Sequence, residues 1–290
     1  MGFWQFLDRE TAFHSLWTAD HLIPLFAEDE DAPCFEAWTA TAVAAQATER
    51  LRLGCVVTGV TLRHPSVIAK AAATIDHVSQ GRLELGLGTA WHGGEHDTFG
   101  IPFPSAGERE DMLEEAVQVI RLLFSNRAPV DFSGRYYRLR QATMAPPCLQ
   151  QPHPPIIVGG GGERRTLRTV ARFADAANVI GGVSTARRKF AILDQHCARE
   201  GRDPTEIVRT VVAPIHITDD PGEASRVHQR LAVFTGGDSS DDVAIGSAGQ
   251  VHDVLARYAD EGVSRVVMIS LPPFDFEQYR RVSELAATFS

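Results

Sequence analysis

The stretch Pro155–Leu167, with the sequence PIIVGGGGERRTL, decides the fold class of this chain. Its first part, Ile156–Val158, is a β-branched run without polar alternation, which is typical of a parallel strand covered on both faces. Four glycines follow, and a segment with helical character begins after them. A buried strand that turns through glycine into a helix is the unit from which parallel sheets are built. The stretch therefore predicts an α/β protein.

The same glycines form a candidate phosphate site. Glycine lets the backbone turn tightly and bring several N–H groups toward one point. The following helix directs the positive end of its dipole at that point. We expect Gly160, Gly161 and Gly162 to bind a phosphate through their N–H groups, with Arg164 adding positive charge. The stretch has neither the Lys-Ser/Thr ending of a P-loop nor the spacing of a dinucleotide fingerprint. An ordinary tight turn is the alternative interpretation.

Composition bounds the class of protein and excludes several functions. The 290 residues are 44% hydrophobic and 22% charged, which suits one large α/β domain over residues 1–290. A formal net charge of -9 argues against nucleic acid as a partner. We find no apolar run of membrane-spanning length, and Met1–Glu10 lacks the features of a signal peptide. The cysteines have no metal-type spacing, so we expect reduced thiols and a cytoplasmic protein: Cys34, Cys55, Cys148 and Cys197.

Strand and helix patterns alternate along the chain. Strands are predicted at Ser15–Thr18, Leu51–Thr58, Arg82–Gly88, Ile156–Val158, Ala176–Ile180, Val208–Ile217 and Arg265–Leu271. Helices are predicted at Ala37–Glu49, Ser66–Val78, Gly107–Phe124 and Glu163–Phe173. This alternation predicts a parallel sheet, either doubly wound or closed as a TIM (β/α)8 barrel. Val130–Leu139 breaks the alternation and is predicted to form a hairpin that turns at Ser133–Gly134.

Five segments together resemble one known family. They are Ser15–His21 (SLWTADH), Thr58–Pro65 (TGVTLRHP), Gly86–Trp91 (GLGTAW), Gly159–Arg165 (GGGGERR) and Asp175–Asn178 (DAAN). In this order they resemble the luciferase-like monooxygenase superfamily, and more narrowly its actinobacterial branch of oxidoreductases dependent on the deazaflavin coenzyme F420. The resemblance implies a TIM barrel of the bacterial-luciferase type. It places the cofactor at the carboxyl ends of the strands, in agreement with the general rule for such barrels.

The beginning of the chain departs from that family pattern. The family has a strand and a full helix before the strand that corresponds to Ser15–Thr18. Here Met1–Trp4 is a poor strand, and Phe6–Phe13 supplies a shortened helix. We therefore expect either that the first barrel strand is short or missing, which would expose two sheet edges, or that this sequence starts late relative to the family. A homodimer that covers this gap is one outcome, and a barrel with a loosened pocket is another.

The resemblance also assigns residues around the cofactor ring. His21 would lie near the reactive face, where it orients substrate or acts as acid or base; a strand-end hydrogen bond is the alternative. A non-proline cis peptide at Val56–Val57, followed by Thr58, would back the ring, and an ordinary trans strand is the alternative. Thr89 and Ala90 would contact the polar edge of the ring.

Phosphate contacts in this scheme come from two sets of backbone N–H groups. The first set is Gly160–Gly162, and the second is Gly181 with Gly182 at the end of the next strand. Arg63 or Arg164 would neutralise the phosphate charge. An exposed arginine at the start of a helix is the alternative interpretation of Arg164.

Aromatic and apolar residues near the same strand ends predict the substrate class. The expected pocket residues are Trp17, Leu25, Phe26, Trp91 and Phe99, which favour an apolar or ring-bearing small molecule. Stacking on the cofactor ring and burial in the core are the alternatives for Trp91. In a sugar-phosphate dehydrogenase of the superfamily, the position nearest Trp91 carries a catalytic glutamate. Its absence here argues against that substrate.

A rival motif lies in the same region. His92–His96 (HGGEH) fits the His-x-x-Glu-His pattern of some zinc proteases, which requires a helix. Two adjacent glycines are costly inside a helix, at about 1 kcal/mol each, and no third ligand has convincing spacing. We therefore expect no metal, and a loop over the cofactor in which Glu95 acts as a catalytic group and His96 lines the substrate pocket.

The chemistry then belongs to the cofactor. A deazaflavin enzyme would transfer hydride between F420 and a small molecule, whereas an FMN enzyme would more readily be a monooxygenase. A non-catalytic flavin-binding paralogue is the third possibility, because the beginning of the chain is short. The expected partners are a small-molecule substrate and a second copy of the chain.

Overall fold

A computed structural model describes residues 2–25, 32–125, 128–235, 237–270 and 273–289. The elements, in chain order, are α1 (Gly2–Glu10), β1 (Ser15–Thr18), α2 (Ala37–Ala47), β2 (Arg52–Gly59), α3 (Pro65–Val78), β3 (Leu83–Gly88), α4 (Gly93–Thr98), α5 (Ala106–Ser125), β4 (Val130–Ser133), β5 (Arg138–Ala142), β6 (Ile156–Gly159), α6 (Thr166–Phe173), β7 (Ala176–Ile180), α7 (Val183–Glu200), β8 (Val208–Ala213), β9 (Ile215–Ile217), α8 (Pro221–Arg230), β10 (Ala244–Gly246), α9 (Ala248–Asp260), β11 (Arg265–Met268) and α10 (Phe276–Ala286). The chain divides into two compact units, Ser15–Gly159 and Met1–His14 with Gly160–Ser290.

The unit Ser15–Gly159 contains four parallel strands in the order β1-β2-β3-β6. Leu53 of β2 pairs with Leu83 of β3, and Leu85 of β3 pairs with Ile156 of β6. All four of these side chains are at most 1% exposed. Such complete burial is expected of a parallel sheet that is covered on both faces, and it explains the apolar run that the sequence shows at β6.

The unit that joins Met1–His14 to Gly160–Ser290 contains three parallel strands in the order β7-β8-β11, and a small parallel pair formed by β9 and β10. Helix α1 packs against α10. The ring of Phe3 stacks on that of Phe274 with centroids 4.3 Å apart. The backbone N–H of Ala12 donates to Ser283 Oγ at 2.6 Å. The first helix of the chain is thus held by the last one.

The predicted α/β class and the missing first strand are both confirmed. Residues 2–14 contain α1 and no strand, and the described residues of the two units hold four and three parallel strands besides the small β9–β10 pair, seven rather than eight. The predicted strand Val208–Ile217 is wrong as one element, because Pro214 separates β8 from β9 and proline has no N–H to donate to a ladder. The predicted strand Arg265–Leu271 ends at Met268, and Leu271 lies outside the described residues.

The hairpin predicted within Val130–Leu139 is confirmed as the antiparallel pair β4 and β5. Its turn is held from outside by Glu115 of α5. The carboxylate accepts N–H donors from Arg135, Tyr136 and Tyr137 at 2.7 to 3.1 Å. Among the helices that the structure describes, we find none long and apolar enough to cross a membrane.

Candidate active site

The side chain of Val57 lies in a recess formed by glycines of the neighbouring strands. The peptide bond between Val56 and Val57 is cis, as the family resemblance implies. A Cβ atom at Gly88 would lie 2.5 Å from Val57 Cγ2, and one at Gly159 would lie 2.5 Å from Cγ1. The glycines of β3 and β6 therefore leave the space that Val57 fills. Val56 and Val57 are half-buried, so this part of β2 is open to a ligand, whereas Thr58 is fully buried.

His21 and Glu95 form a hydrogen-bonded pair. Nδ1 of His21 lies 3.3 Å from Glu95 Oε1, and Oε2 of the same carboxylate accepts the backbone N–H of Leu22 at 2.8 Å. When the neutral ring donates from Nδ1, its Nε2 is left as an acceptor. The ring of Trp91 approaches His21 edge-on with centroids 5.7 Å apart. The two residues expected to be catalytic are thus brought together, beside an exposed aromatic ring.

Burial sets the protonation state of His21. Removal of the ring from water lowers its pKa below the ordinary value of 6.5, and the neighbouring charge of Glu95 opposes this effect without reversing it. The imidazole is therefore neutral at neutral pH. A neutral, oriented imidazole next to a carboxylate is suited to accept a proton from a substrate hydroxyl.

A buried ionic cluster holds the position of the strand ends. Asp20 Oδ2 accepts the N–H of Gly59 at 3.1 Å, and both Asp20 oxygens accept from Arg63 Nη1. The other guanidinium nitrogen of Arg63 pairs with Glu36, which also caps the first turn of α2. Two carboxylates of its own unit thus already pair with Arg63, which leaves Arg164 as the arginine on which the phosphate prediction depends. Neither Asp20 nor Glu36 was predicted to contact Arg63.

The segment His92–His96 is not the expected loop. Gly93 and Gly94 form the first turn of α4, where glycine costs less than in a helix interior, and His92 caps the helix through Nδ1, which accepts the N–H of Glu95 at 3.2 Å. His96 is fully buried, with its ring nitrogens 2.8 Å from Thr61 Oγ1 and 2.9 Å from the carbonyl of His92. His96 therefore does not line an open pocket. Within the described ranges, we find no cluster of residues able to hold a metal.

The remaining predicted pocket residues differ in exposure. Trp91 is 54% and Phe99 is 55% exposed, so both offer apolar surface. Trp17 is half-buried and its indole N–H donates to Ser15 Oγ at 2.9 Å, which fixes the ring. Leu25 is half-buried, and Phe26 lies outside the described residues.

The turn after β3 has an uncommon backbone conformation. Ala90 has a φ of 58°, in the left-handed region that non-glycine residues rarely adopt. Thr89 and Ala90 are both half-buried. The carbonyls of both residues accept hydrogen bonds from Arg109 of α5.

The glycine loop keeps only part of the predicted phosphate cradle. Gly160 has a φ of 127°, which requires glycine, but its N–H already donates to the carbonyl of Asn178 at 2.9 Å. The N–H groups of Gly161 and Gly162 have no acceptor among the described residues. Lys189, which the sequence analysis did not assign, donates from Nζ to the carbonyl of Gly161 at 2.5 Å. Two amides remain available to an anion, beside an ammonium group that also pairs with Glu163.

The arginine beside this loop is exposed. Arg164 forms no ion pair within the part of the chain that the structure describes. The neighbouring Glu163 instead pairs with Arg188 and Lys189. Arg164 is therefore free to meet an incoming anion.

The second predicted set of phosphate donors is already occupied. The N–H of Gly181 donates to the carbonyl of Val212, and that of Gly182 donates to Asp238 Oδ2 at 2.7 Å. The same carboxylate oxygen accepts the N–H of Thr185 at 3.3 Å. Asp238 thus takes the place at the start of α7 that a phosphate would take. The expectation that Gly181 and Gly182 bind phosphate does not fit this structure.

The fold is that of the luciferase-type (β/α) barrels. A solved F420-dependent secondary alcohol dehydrogenase, in complex with an F420-acetone adduct, matches with a TM-score of 0.83 at 20% identity, over 97% of this chain and 92% of that chain. A monooxygenase from Streptomyces bottropensis matches with a TM-score of 0.79 at 24% identity, over 99% and 90%. At these identities the likeness is one of fold.

The sequence comparisons define the family. The model for luciferase-like monooxygenases matches residues 9–267, and the chain belongs to this family. An F420-dependent glucose-6-phosphate dehydrogenase from Kineococcus radiotolerans is 33% identical over 259 residues, which cover 87% of this chain and 73% of the relative. An F420-dependent hydroxymycolic acid dehydrogenase from Mycobacterium tuberculosis is 29% identical over 273 residues, which cover 88% and 71%.

The recess around Val57 generates a first prediction. Gly88→Ala places a methyl group against Val57 and should lower the free energy of unfolding by about 2 kcal/mol, as overpacking does. Urea unfolding measures the change. Adding Val57→Ala removes the clashing atoms, so the double variant should be less destabilised than the sum of the single variants. Strict additivity would show that the two side chains do not compete for this space.

The start of α7 generates a second prediction. Asp238→Ala removes the acceptor of two backbone N–H groups and should lower the free energy of unfolding by about 1 kcal/mol, the usual value of a lost N-terminal cap. The neighbouring exposed Asp241 provides the control, because its side chain caps no helix in the described chain. Equal unfolding curves for Asp238→Ala and Asp241→Ala would contradict the assignment.

The histidine–glutamate pair generates a third prediction. Glu95→Gln should lower the pKa of His21 further, because it removes the negative charge that favours the imidazolium. The pKa is measured by NMR titration of the ligand-free protein. His64, whose pKa is lowered by burial alone, is the internal reference. Any acid limb in the activity profile should move to lower pH in the same variant. A raised or unchanged pKa of His21 would rule out the pair.

Proposed function

We propose that this protein is an F420-dependent oxidoreductase that acts on an apolar or ring-bearing small molecule carrying a hydroxyl or carbonyl group. The observation that carries the proposal is the His21–Glu95 pair beside the exposed ring of Trp91. The dehydrogenase names of the curated relatives support the same chemistry. When bound, the deazaflavin supplies hydride transfer, and a hydroxyl substrate must lose a proton in the same reaction.

The chain's own residues would divide the work in the following way. His21 accepts the hydroxyl proton at Nε2, and Glu95 orients the ring and stabilises the imidazolium that forms. Trp91 provides an apolar wall against which the substrate carbon skeleton packs. The half-buried face at Val56 and Val57 provides a surface for a planar ring system. A bound ring would exclude water from this part of β2.

A phosphate site at the glycine loop is the second part of the proposal. The free amides of Gly161 and Gly162, with Lys189 and Arg164, suit a phosphate group of the cofactor tail. All four cysteines are free thiols, which agrees with the proposed cytoplasmic location. We also infer a homodimer, because β1 is an edge strand among the described residues and an exposed sheet edge invites pairing with a second copy.

The expected substrate class differs from the sugar phosphate in the name of one relative. The position nearest Trp91 has no carboxylate, and the glutamate that contacts His21 is Glu95 of α4. We therefore infer that this site takes an uncharged, apolar alcohol or carbonyl compound rather than a sugar phosphate. Exposed Phe99 adds further apolar surface to the same unit.

A side-by-side titration tests the cofactor assignment. F420 should bind at micromolar concentration or below and at least several-fold more tightly than FMN, because its longer anionic tail makes more charge-assisted contacts. Fluorescence at fixed ionic strength measures both. Gly161→Glu should weaken binding at least tenfold by placing a carboxylate at the two free amides.

Gly249→Glu is the matched control for this titration. It adds the same charge at a position where nothing lies within 4 Å of the new side chain's Cβ. Tighter binding of FMN would assign the protein to the flavin monooxygenases. Binding of neither cofactor would favour a non-catalytic paralogue. Equal losses in Gly161→Glu and Gly249→Glu would remove the glycine loop from the site.

A further inference from the structure

Arg109 of α5 reaches back to the turn that follows β3. Its Nη1 donates to the carbonyl of Thr89 at 3.2 Å and also to the carbonyl of Ala90, while Nε donates to the carbonyl of Pro104 at 3.1 Å. The guanidinium lies over the ring of Phe103, 4.0 Å from its centroid. Two successive carbonyls of one turn therefore point at a single cation.

This arrangement fixes the direction of the turn's N–H groups. In a planar trans peptide the N–H points opposite to the C=O of the same unit. The carbonyls of Thr89 and Ala90 face Arg109, so the N–H groups of Ala90 and Trp91 face away from it. Neither N–H has an acceptor among the described residues. Successive N–H groups presented in this way bind carbonyl or anionic oxygens. The left-handed φ of Ala90 is the conformation that this contact holds.

The positive charge of Arg109 is not paired with a carboxylate in the described part of the chain. Its hydrogen-bond partners are carbonyls. Partial burial lowers its pKa, which the charge of the adjacent Glu110 only partly opposes. A guanidinium nevertheless stays protonated in proteins. The turn is therefore backed by a half-buried positive charge that no carboxylate contact neutralises.

We propose that Arg109 is a positioning residue for the cofactor: it holds the Thr89–Trp91 turn so that two backbone N–H groups meet the oxygen-bearing edge of the ring, and its charge favours the electron-rich reduced form. The inference rests on the proposed function, because it requires a bound redox ring. It assigns Arg109 a role in binding and in redox balance, and no direct part in proton transfer.

Binding of oxidised and of reduced F420 to charge and shape variants tests this proposal. Arg109→Met removes both the guanidinium donors to the two carbonyls and the positive charge. It should weaken binding of reduced F420 at least tenfold and of oxidised F420 about threefold. Arg109→Lys keeps the charge but cannot hold two carbonyls with a planar fork, so it should weaken both forms about equally. Arg140→Met, at an exposed position of the hairpin, is the control and should change neither. Thermal unfolding checks that each variant is folded.

The outcomes separate this inference from the proposed function. If the wild-type protein binds F420 and Arg109→Met binds both forms as Arg140→Met does, the role of Arg109 is overturned and the proposed function stands. If Arg109→Met loses affinity for both forms equally, the contribution of charge is overturned. If the wild-type protein does not bind F420, the proposed function and this inference fail together. If Arg109→Met does not fold, wild-type affinities in Arg109→Lys would overturn the positioning role.

Discussion

The side chain of Val57 requires the backbones of its neighbouring strands to lie very close. Gly86, Gly88 and Gly159 are glycines because a Cβ at any of these positions would meet β2, either at Val57 or at the carbonyl of Cys55. The pairing of β2 with β3 shifts between Cys55 and Thr58, on either side of the cis peptide. The carboxyl end of β2 therefore pairs with β3 in a different register from its amino end.

Other parts of the candidate site depend on where that strand ends. The N–H of Gly59 is the donor that Asp20 accepts, and Asp20 immediately precedes His21. Arg63 then ties Asp20 to Glu36 at the start of α2. The position of His21 relative to Glu95 is therefore set by packing at β2 and by a buried ionic cluster, rather than by the two residues alone.

Much of the fold could be predicted because its signals are local. The runs at β1 and β7 have the predicted bounds. The run at β7 is mostly apolar and lies between Asp175 and Gly181, and β1 begins the family-like segment Ser15–His21. Helix α4 was missed because glycine propensity was applied to a helix interior, whereas Gly93 and Gly94 lie in the first turn, after a histidine cap. The observed element boundaries differ from the predicted ones where a cap or a proline interrupts the element, as Pro214 does between β8 and β9.

The candidate site was predictable as a set of residues but not as a set of contacts. His21 and Glu95 are 74 positions apart, and no spacing rule joins them. Arg63 was assigned to a phosphate because its charge is visible in the sequence while its partners, Asp20 and Glu36, are distant in the chain. Gly181 and Gly182 were assigned to a phosphate for the same reason. The carboxylate of Asp238, which accepts the N–H of Gly182, lies more than fifty residues later in the chain. Charge can be identified from sequence, but its neutralisation depends on tertiary structure.

The pairing of α1 with α10 has a consequence for how this chain is made. The partners of α1 lie far along the chain, because Phe274 stacks on Phe3 and Ser283, which accepts the N–H of Ala12, is 271 positions later. The unit Ser15–Gly159 is continuous and precedes both partners in the chain. During translation, the apolar face of α1 therefore has no α10 to pack against while the unit Ser15–Gly159 is synthesised and folds. Phe3 and Phe6 stay exposed to solvent and chaperones until α10 has left the ribosome and can pack against α1.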